Sequence, residues 1–311
     1  MREAPQTSSV RDLLKRGIAR LRDSDVPSYT LAAELLLLSV TERDRTWIYA
    51  HPEETVPEDS AAKYFALLER RAAGEPTQHL TGKQEFWGLE FEVTPDVLIP
   101  RPETEHLIEV ALDRLAVREI RAGRPPRLVG ENVTLVDIGT GSGCIGIALA
   151  KELPAATIFA TDISPAALAV ARRNATRLGF ANRIHFVQTN LFEEFAPPAS
   201  SHSPQSFDLV ISNPPYVSRR DAASLSVEVR EHEPALALYG GEEGFEFYAE
   251  LVAQAERHLR PTGLLVLELG YDSLPAVRPL LDDSAWANVG VTSDLAGIPR
   301  VLSAERLPLT P

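Results

Sequence analysis

The sequence of 311 residues contains one cysteine, Cys144. A single thiol cannot close an internal disulfide, so no disulfide framework holds the chain, and a reducing compartment suits it. The seven histidines are scattered without the Cys/His spacing of a structural metal site, so no metal is expected. No apolar run is long enough to span a bilayer; LAAELLLLSV (31–40) is too short and contains Glu34. The opening residues MREAPQTSSVRDLL lack the apolar core of a signal peptide and carry an acid ill suited to a transit peptide. A cytoplasmic protein free of membrane is expected. Positive charge is also scarce. With 31 Lys and Arg against 44 Asp and Glu, the net charge is −13, a field that repels phosphate backbones, and nucleic acid is not expected as the main partner.

A composition of 44% hydrophobic and 24% charged residues is that of an ordinary globular chain. Its length suits one large domain and one small one. From Ser9 to Gly74, apolar residues recur at helical spacing in VRDLLKRGIARL, YTLAAELLLLSV and KYFALLERRAAG, so residues 1–74 are expected to form a small helical domain. Leu89, Phe91 and Val93 then alternate with Glu90, Glu92 and Thr94, which predicts a strand or hairpin in a connector at 75–100. Residues 101–311 make the second domain. A charged helix at 103–121 and a loop at 122–132 lead into strands at 133–138, 157–161, 184–188, 207–212 and 263–269, with helices near 144–153, 165–178, 245–260 and 273–283. This alternation predicts an α/β fold with a doubly wound, mostly parallel sheet. The runs ANVGVTSD and RVLSAER add an antiparallel hairpin at its edge, and the Pro/Ser-rich segment 196–206 reads as a mobile surface insertion.

In TLVDIGTGSGCIGIALAKEL, Gly139, Gly141 and Gly143 lie between an apolar strand and an apolar helix. Glycines there let the backbone approach a ligand and leave helix N–H groups facing it. The spacing departs from the dinucleotide G-x-G-x-x-G, and no Gly-Lys-Ser/Thr follows to hold a triphosphate. Together with Asp137 before the turn and Asp162 ending the second strand, the segment resembles class I S-adenosylmethionine methyltransferases. That resemblance implies that Gly139, Thr140, Gly141, Ser142 and Gly143 hold the amino-acid part of the cofactor and that Asp162 takes the ribose hydroxyls. Ser164 and Pro165 already supply a helix N-cap and first residue, which leaves Asp162 free for the diol. Asn190 stands where many such enzymes carry an acid for the adenine amine, and Leu191 is placed to pack on the adenine.

The strand FDLVIS delivers Asn213, Pro214, Pro215 and Tyr216 to the carboxyl edge of the sheet. An amide or aryl-amine nitrogen has a delocalised lone pair, so its methylation requires the NH2 to be held with that lone pair aimed at the donor. The Asn213 side-chain oxygen and the Pro214 carbonyl supply two acceptors, stiffened by proline, and Tyr216 offers a flat surface and one hydroxyl. Positioning of this kind is worth up to about 7–11 kcal/mol.

Asn-Pro-Pro-Tyr occurs both in adenine amino-methyltransferases and in protein glutamine methyltransferases, and the turn alone leaves the two open. Further motifs separate them: GEPTQHLTG, FWGLEFEV, LIPRPETE, DIGTGSG, SNPPY, EHEPALALYGGEEG and DLAGIPRV. In this order they resemble the peptide-chain release factor glutamine methyltransferases, the HemK/PrmC family, over nearly the whole chain. The resemblance implies transfer of a methyl group from S-adenosylmethionine to the glutamine of the Gly-Gly-Gln loop of class-1 release factors. The helical domain would recognise the substrate, Asn213 to Tyr216 would hold the glutamine, and a monomer is expected. Arg101, Glu103 and Glu105 would order a lip over the site, and Glu231, Glu233 and the GGEEG turn would form another wall. Two other readings compete. A nucleic-acid adenine methyltransferase would need the basic face that this chain lacks. An inactive module that binds translation factors is disfavoured by the intact glycine turn, Asp162 and Asn-Pro-Pro-Tyr.

Overall fold

In VRDLLKRGIARLR the apolar residues fall three and four apart, and Ser9 ahead of them accepts a hydrogen bond from the Asp12 N–H at 3.1 Å, so a helix starts there. The structure, a computed structural model, describes residues 8–121, 132–195 and 206–308. The segment 196–206, apart from Ser206, and the loop 122–132, apart from Asn132, lie outside the described residues. Contacts divide the chain into two compact units, one running to Lys83 and including Ser226–His232, the other holding the remainder.

The first unit contains β1 (Ser8–Ser9), α1 (Val10–Arg22), α2 (Tyr29–Thr41), α3 (Arg45–Ala50), β2 (Thr55–Val56), α4 (Glu58–Ala72) and α5 (Thr77–Thr81). Leu13, Leu21, Leu36, Leu37, Ile48, Tyr64 and Leu68 form its core. The three helices expected from periodicity are α1, α2 and α4. The other two are too short to display a period and are set by their ends: the Asp44 side chain accepts from the Trp47 N–H at 2.8 Å, and Gly82 closes α5 at φ +72°. Glu34, buried in α2, is held by Arg45 at 2.9 Å and by the Tyr49 hydroxyl. Arg71, also buried, pairs with Glu228, which ties the distant segment Ser226–His232 into this unit.

The second unit begins with a hairpin, β3 (Lys83–Phe86) and β4 (Leu89–Glu92), whose turn residues Trp87 and Gly88 both have positive φ, as a two-residue primed turn requires. A 3₁₀ turn at Pro102–Thr104 leads into α6 (Glu105–Arg121). Then follow β5 (Thr134–Ile138), α7 (Cys144–Glu152), β6 (Thr157–Asp162), α8 (Pro165–Leu178), β7 (Ile184–Gln188), β8 (Phe207–Ser212) and β9 (Val217–Ser218). After α9 (Val227–His232), which belongs to the first unit, come α10 (Ala235–Leu238), β10 (Tyr239–Gly241), α11 (Glu246–His258), β11 (Leu259–Glu268), α12 (Leu274–Val277), β12 (Trp286–Ser293) and β13 (Pro299–Arg306).

Seven strands form one sheet in the order β12-β13-β11-β8-β5-β6-β7, parallel from β11 to β7, with β13 antiparallel to both β11 and β12. The doubly wound sheet and its antiparallel edge are therefore as expected. Because strand residues alternate between faces, Leu135 joins the core under α6 and α7 while Val136 joins the one under α11. The helix expected at 273–283 is only α12 followed by a 3₁₀ turn at Arg278–Leu280. Pro279 has no N–H to continue the helical ladder, so the run breaks there. Among the described residues no helix is long and apolar enough to cross a membrane.

In α1, a Cβ built on Gly17 would lie 1.9 Å from the buried Tyr64 hydroxyl, which has no hydrogen-bond partner among the described residues. Glycine to alanine within a helix ordinarily gains about 1 kcal/mol, but overpacking of this kind costs about 1–3 kcal/mol. Urea unfolding is expected to show Gly17→Ala destabilised, with part of the loss recovered when Tyr64→Phe is added. A stabilised single variant would refute the contact.

Candidate active site

The sheet order reverses at β5, with β6 and β7 on one side and β8 and β11 on the other. In an open parallel sheet a crevice forms outside the carboxyl ends of the strands at such a point, because the chain leaves the two neighbouring strands in opposite directions. The ends concerned here are Gly139, after β5, and Asn213, after β8. Both line one pocket of about 800 Å³ including its mouth.

A network of backbone bonds shapes the glycine turn. The Thr140 N–H donates to the Thr161 carbonyl at 2.8 Å, the Gly141 N–H to Asp162 Oδ2 at 2.9 Å, and the Gly143 N–H to the Thr140 carbonyl at 2.8 Å. Gly139 and Gly141 have φ of +72° and +54°, and a Cβ on either would meet no protein atom, so the backbone itself borders the pocket. Behind the turn, buried Asn174 of α8 donates to the Ser142 carbonyl at 2.9 Å and brackets the Glu92 peptide with two more bonds. Thr140, Ser142 and Gly143 stand on this rear side. The Thr140 hydroxyl donates to Asp137 Oδ2, Ser142 is buried, and Gly143 precedes α7; none of the three lines the pocket.

Asp162 does line it. Its Oδ1 accepts from the Ser164 N–H at 2.9 Å and its Oδ2 from Gly141, which uses one lone pair on each oxygen and leaves others for a diol. Burial raises its carboxyl above the ordinary range, while these N–H groups pull it back. Asn190 and Leu191 also line the pocket, but the Asn190 side-chain amide donates to Glu193 Oε1 at 2.9 Å, and its carbonyl end is the one left for a ligand. Leu191, at φ +50°, is buried beneath. Val97, Leu236, Ala237 and Phe247 complete an apolar wall that the sequence reading did not identify. Backbone at the glycine turn, acceptors for a diol and an apolar slot suit the three parts of S-adenosylmethionine: amino acid, ribose and adenine.

On the other side, Asn213 Nδ2 donates to the Thr104 hydroxyl at 3.2 Å, and the Ser212 hydroxyl ties β8 to the Ile138 carbonyl at 2.7 Å. Asn213 and Pro215 border the pocket; Pro214 is buried and Tyr216 lies beyond the lining. Two glycines allow this turn its close contacts. A Cβ on Gly240 would be 2.3 Å from the Pro215 carbonyl oxygen, and one on Gly270 would be 2.8 Å from the Tyr216 ring. Burial pushes the Tyr216 hydroxyl up to about 12, so it stays protonated at neutral pH.

The expected lip residues separate in the structure. Arg101 reaches Glu233 at 2.5 Å, which stitches the segment carrying Val97 and Leu98 to the one carrying Pro234 and Leu236, two edges of the pocket. Glu103 is exposed and outside the lining. Glu105 accepts from the Trp87 N–H at 2.7 Å and so fixes the hairpin turn. Glu231 is exposed, pairs with Arg230, and belongs to the first unit. In GGEEG, Gly240 and Gly244 lie against the Asn-Pro-Pro-Tyr turn and Gly241 against Glu246, whereas Glu242 and Glu243 pair with Arg219 and Arg220. The residue of LIPRPETE that contacts Asn213 is Thr104. A threonine in a charged motif gives no sequence signal for that role. Among the described residues no group of three or more His, Cys, Asp or Glu could hold a metal.

Asp137, fully buried, is pushed up to about 7 by burial, against bonds from Thr140 and Gly146 that favour its charged form. Because the folded state binds this proton more tightly than the unfolded one, Asp137 contributes stability at low pH that is lost as pH rises through about 7. The melting temperature of Asp137→Asn relative to wild type is therefore expected to climb between pH 5 and 8. A difference that is flat or falling across that range would contradict the assignment.

A family model described as PrmC N-terminal domain matches residues 12–82, and one described as Methyltransferase domain matches residues 130–287. A "Release factor glutamine methyltransferase" of Koribacter versatilis is 41% identical, covering 92% of this chain and 94% of that protein. One of Bradyrhizobium diazoefficiens is 39% identical, over 93% and 92%. Among solved structures, the hMettl16 catalytic domain in complex with MAT2A 3'UTR hairpin 6 superimposes with a TM-score of 0.53 at 18% identity, covering 78% of this chain and 84% of that one, and speaks for the fold alone. With relatives this similar along nearly its full length, the chain belongs to the family of release factor glutamine methyltransferases.

Proposed function

We propose that this protein transfers the methyl group of S-adenosylmethionine to the side-chain amide nitrogen of a glutamine in a peptide-chain release factor, the glutamine of the Gly-Gly-Gln loop of class-1 factors. The observation that carries this reading is Asn213, whose amide is oriented by Thr104 at the edge of the pocket that the glycine turn also borders. S-adenosylmethionine, when bound, supplies a methyl group made electrophilic by its sulfonium. Gly139, Gly141, Asp162, Asn190 and Leu191 are the residues assigned to hold it, while Thr140, Ser142 and Gly143 shape the turn from behind.

Asn213 Nδ2 is taken by Thr104, so Oδ1 is the end offered to a substrate. Together with the Pro214 carbonyl it accepts the two N–H bonds of the glutamine amide and aims the nitrogen lone pair out of the amide plane. Pro214 and Pro215 hold the acceptors still, since each has a fixed φ. Tyr216, protonated and backed against Gly270, presents a ring to the planar amide. Phe247, Leu236 and Val97 keep water from the slot. No base stands within Asn213–Tyr216, so the turn contributes position. The Arg101–Glu233 pair closes the lip, and Glu103 at its exposed end is assigned to meet the release factor. Recognition of that factor falls to the helical unit, with the enzyme acting as a monomer. The net charge of −13 speaks against a nucleic-acid substrate.

Incubation with labelled S-adenosylmethionine is expected to label a class-1 release factor on its glutamine and to leave DNA unlabelled. Asn213→Ala is expected to lower kcat at least about a hundredfold, with cofactor affinity measured by calorimetry nearly unchanged. Asp162→Ala is expected to weaken that affinity instead. Labelling of DNA in place of the factor would overturn the proposal.

A further inference from the structure

β8 and β11 run parallel with Leu267 beside Ser212, so Glu268, the last residue of β11, and Asn213, which follows β8, come next to each other at the carboxyl edge of the sheet. Glu268 is 2% exposed, and so is Thr104, which enters from the 3₁₀ turn before α6. The Thr104 hydroxyl accepts from Asn213 Nδ2 at 3.2 Å and stands beside the Glu268 carboxyl, favouring its charged form against the burial that pushes that carboxyl up to about 7. Glu268 is held from behind as well, because its backbone carbonyl accepts from the Tyr248 hydroxyl at 2.7 Å, and its Oε2 has no hydrogen-bond partner among the described residues.

A hydroxyl has one proton and two lone pairs. With a lone pair of Thr104 filled by the Asn213 N–H, its single proton is left for the ionised Glu268 carboxylate beside it, and the chain then has one direction: Asn213 to Thr104 to Glu268. If the Asn213 amide turned over, Oδ1 would face a threonine oxygen whose proton is already committed. A partly buried acceptor would then lie against an acceptor, and both would be left without a donor. The two ends of the Asn213 amide are nearly equal in shape, so packing cannot distinguish them; the hydrogen-bond chain can. A glutamine NH2 needs acceptors, and an inverted Asn213 would offer it donors.

We propose that Thr104 and Glu268 are positioning residues that hold the Asn213 amide in the one orientation able to receive a substrate NH2. This rests on the glutamine-methyltransferase reading for its substrate, and on the strand register, the Asn213–Thr104 bond and the buried Glu268 carboxyl for the orientation. The two residues touch neither cofactor nor substrate; they act through Asn213.

The test compares Thr104→Val, which keeps the shape and loses the hydroxyl, with Thr104→Ser, which keeps the hydroxyl. With a release factor as substrate, Thr104→Val is expected to lower kcat ten- to a hundredfold, with KM for the factor and calorimetric affinity for S-adenosylmethionine within threefold of wild type, and Thr104→Ser to recover most of the loss. Glu268→Gln, which retains an acceptor, is expected to lose less than Glu268→Leu. Thr104→Val combined with Glu268→Leu is expected to lose no more than the worse single variant, as members of one chain do. A second readout needs neither cofactor nor turnover: the Asn213 side-chain NH2 resonances, assigned by their loss in Asn213→Ala, are expected to move in Thr104→Val and to stay in Thr104→Ser. If wild type methylates the factor while Thr104→Val keeps kcat within threefold, or Thr104→Ser fails equally, the positioning role is wrong. If wild type does not methylate the factor, the substrate reading fails, and the resonances alone decide the orientation.

Discussion

Asp137, one residue before the end of β5, has no exposure to solvent, and its Oδ2 receives both the Thr140 hydroxyl at 2.6 Å and the Gly146 N–H at 3.1 Å. One bond reaches into the glycine turn and the other into the first turn of α7. The carboxyl therefore sets the angle at which the chain leaves the sheet, and with it the direction of the backbone that borders the pocket. Burying a carboxyl is costly, as its raised affinity for a proton reflects, so its two partners must be placed accurately for the arrangement to persist. Thr140 and Gly146 are three and nine residues downstream, which makes this a locally encoded constraint.

The second half of the site is held from a distance. Asn213 leaves β8 at the same edge, and its environment comes from Thr104, more than a hundred residues earlier, and from Gly240 and Gly270, tens of residues later. The two glycines let backbone and ring approach closer than any side chain would allow. The double proline keeps the turn's own shape, but only these neighbours place it against the pocket. The division is chemically sensible: the glycine turn forms from nearest neighbours, whereas the Asn-Pro-Pro-Tyr turn is placed where three separate segments meet.

Much of the architecture was legible beforehand because it rests on local rules. The inner parallel strands β5, β8 and β11 contain short apolar runs, since both faces are buried there. The helix over 165–178 starts at Ser164-Pro165 and stops at Gly179, and those signals coincide with α8. The helix expected over 273–283 stopped early because its apolar spacing outweighed Pro279 in the reading but could not supply the missing N–H in the fold. Helices α3 and α5 were hidden by their length, too short for a period. Glu105 and Glu231 were read as site residues from their place in a motif. One caps a hairpin turn and the other lies on the surface of a different unit, and sequence adjacency to Arg101 or Glu233 carries no information about that.

By itself, then, the sequence determined the succession of strands and helices, the glycine turn after β5 and the proline-stiffened turn after β8. Each depends on dihedral preferences and hydrogen bonds within a few residues. Only the tertiary structure decided that Thr104 meets Asn213, that Asn174 locks the glycine turn to the hairpin strand β4, and that Ser226–His232 packs with the helical unit through Glu228 and Arg71. Those contacts join residues 109, 82 and 157 positions apart. At such separations a polar side chain's partner is set by the sheet order and by burial, and no local pattern announces it.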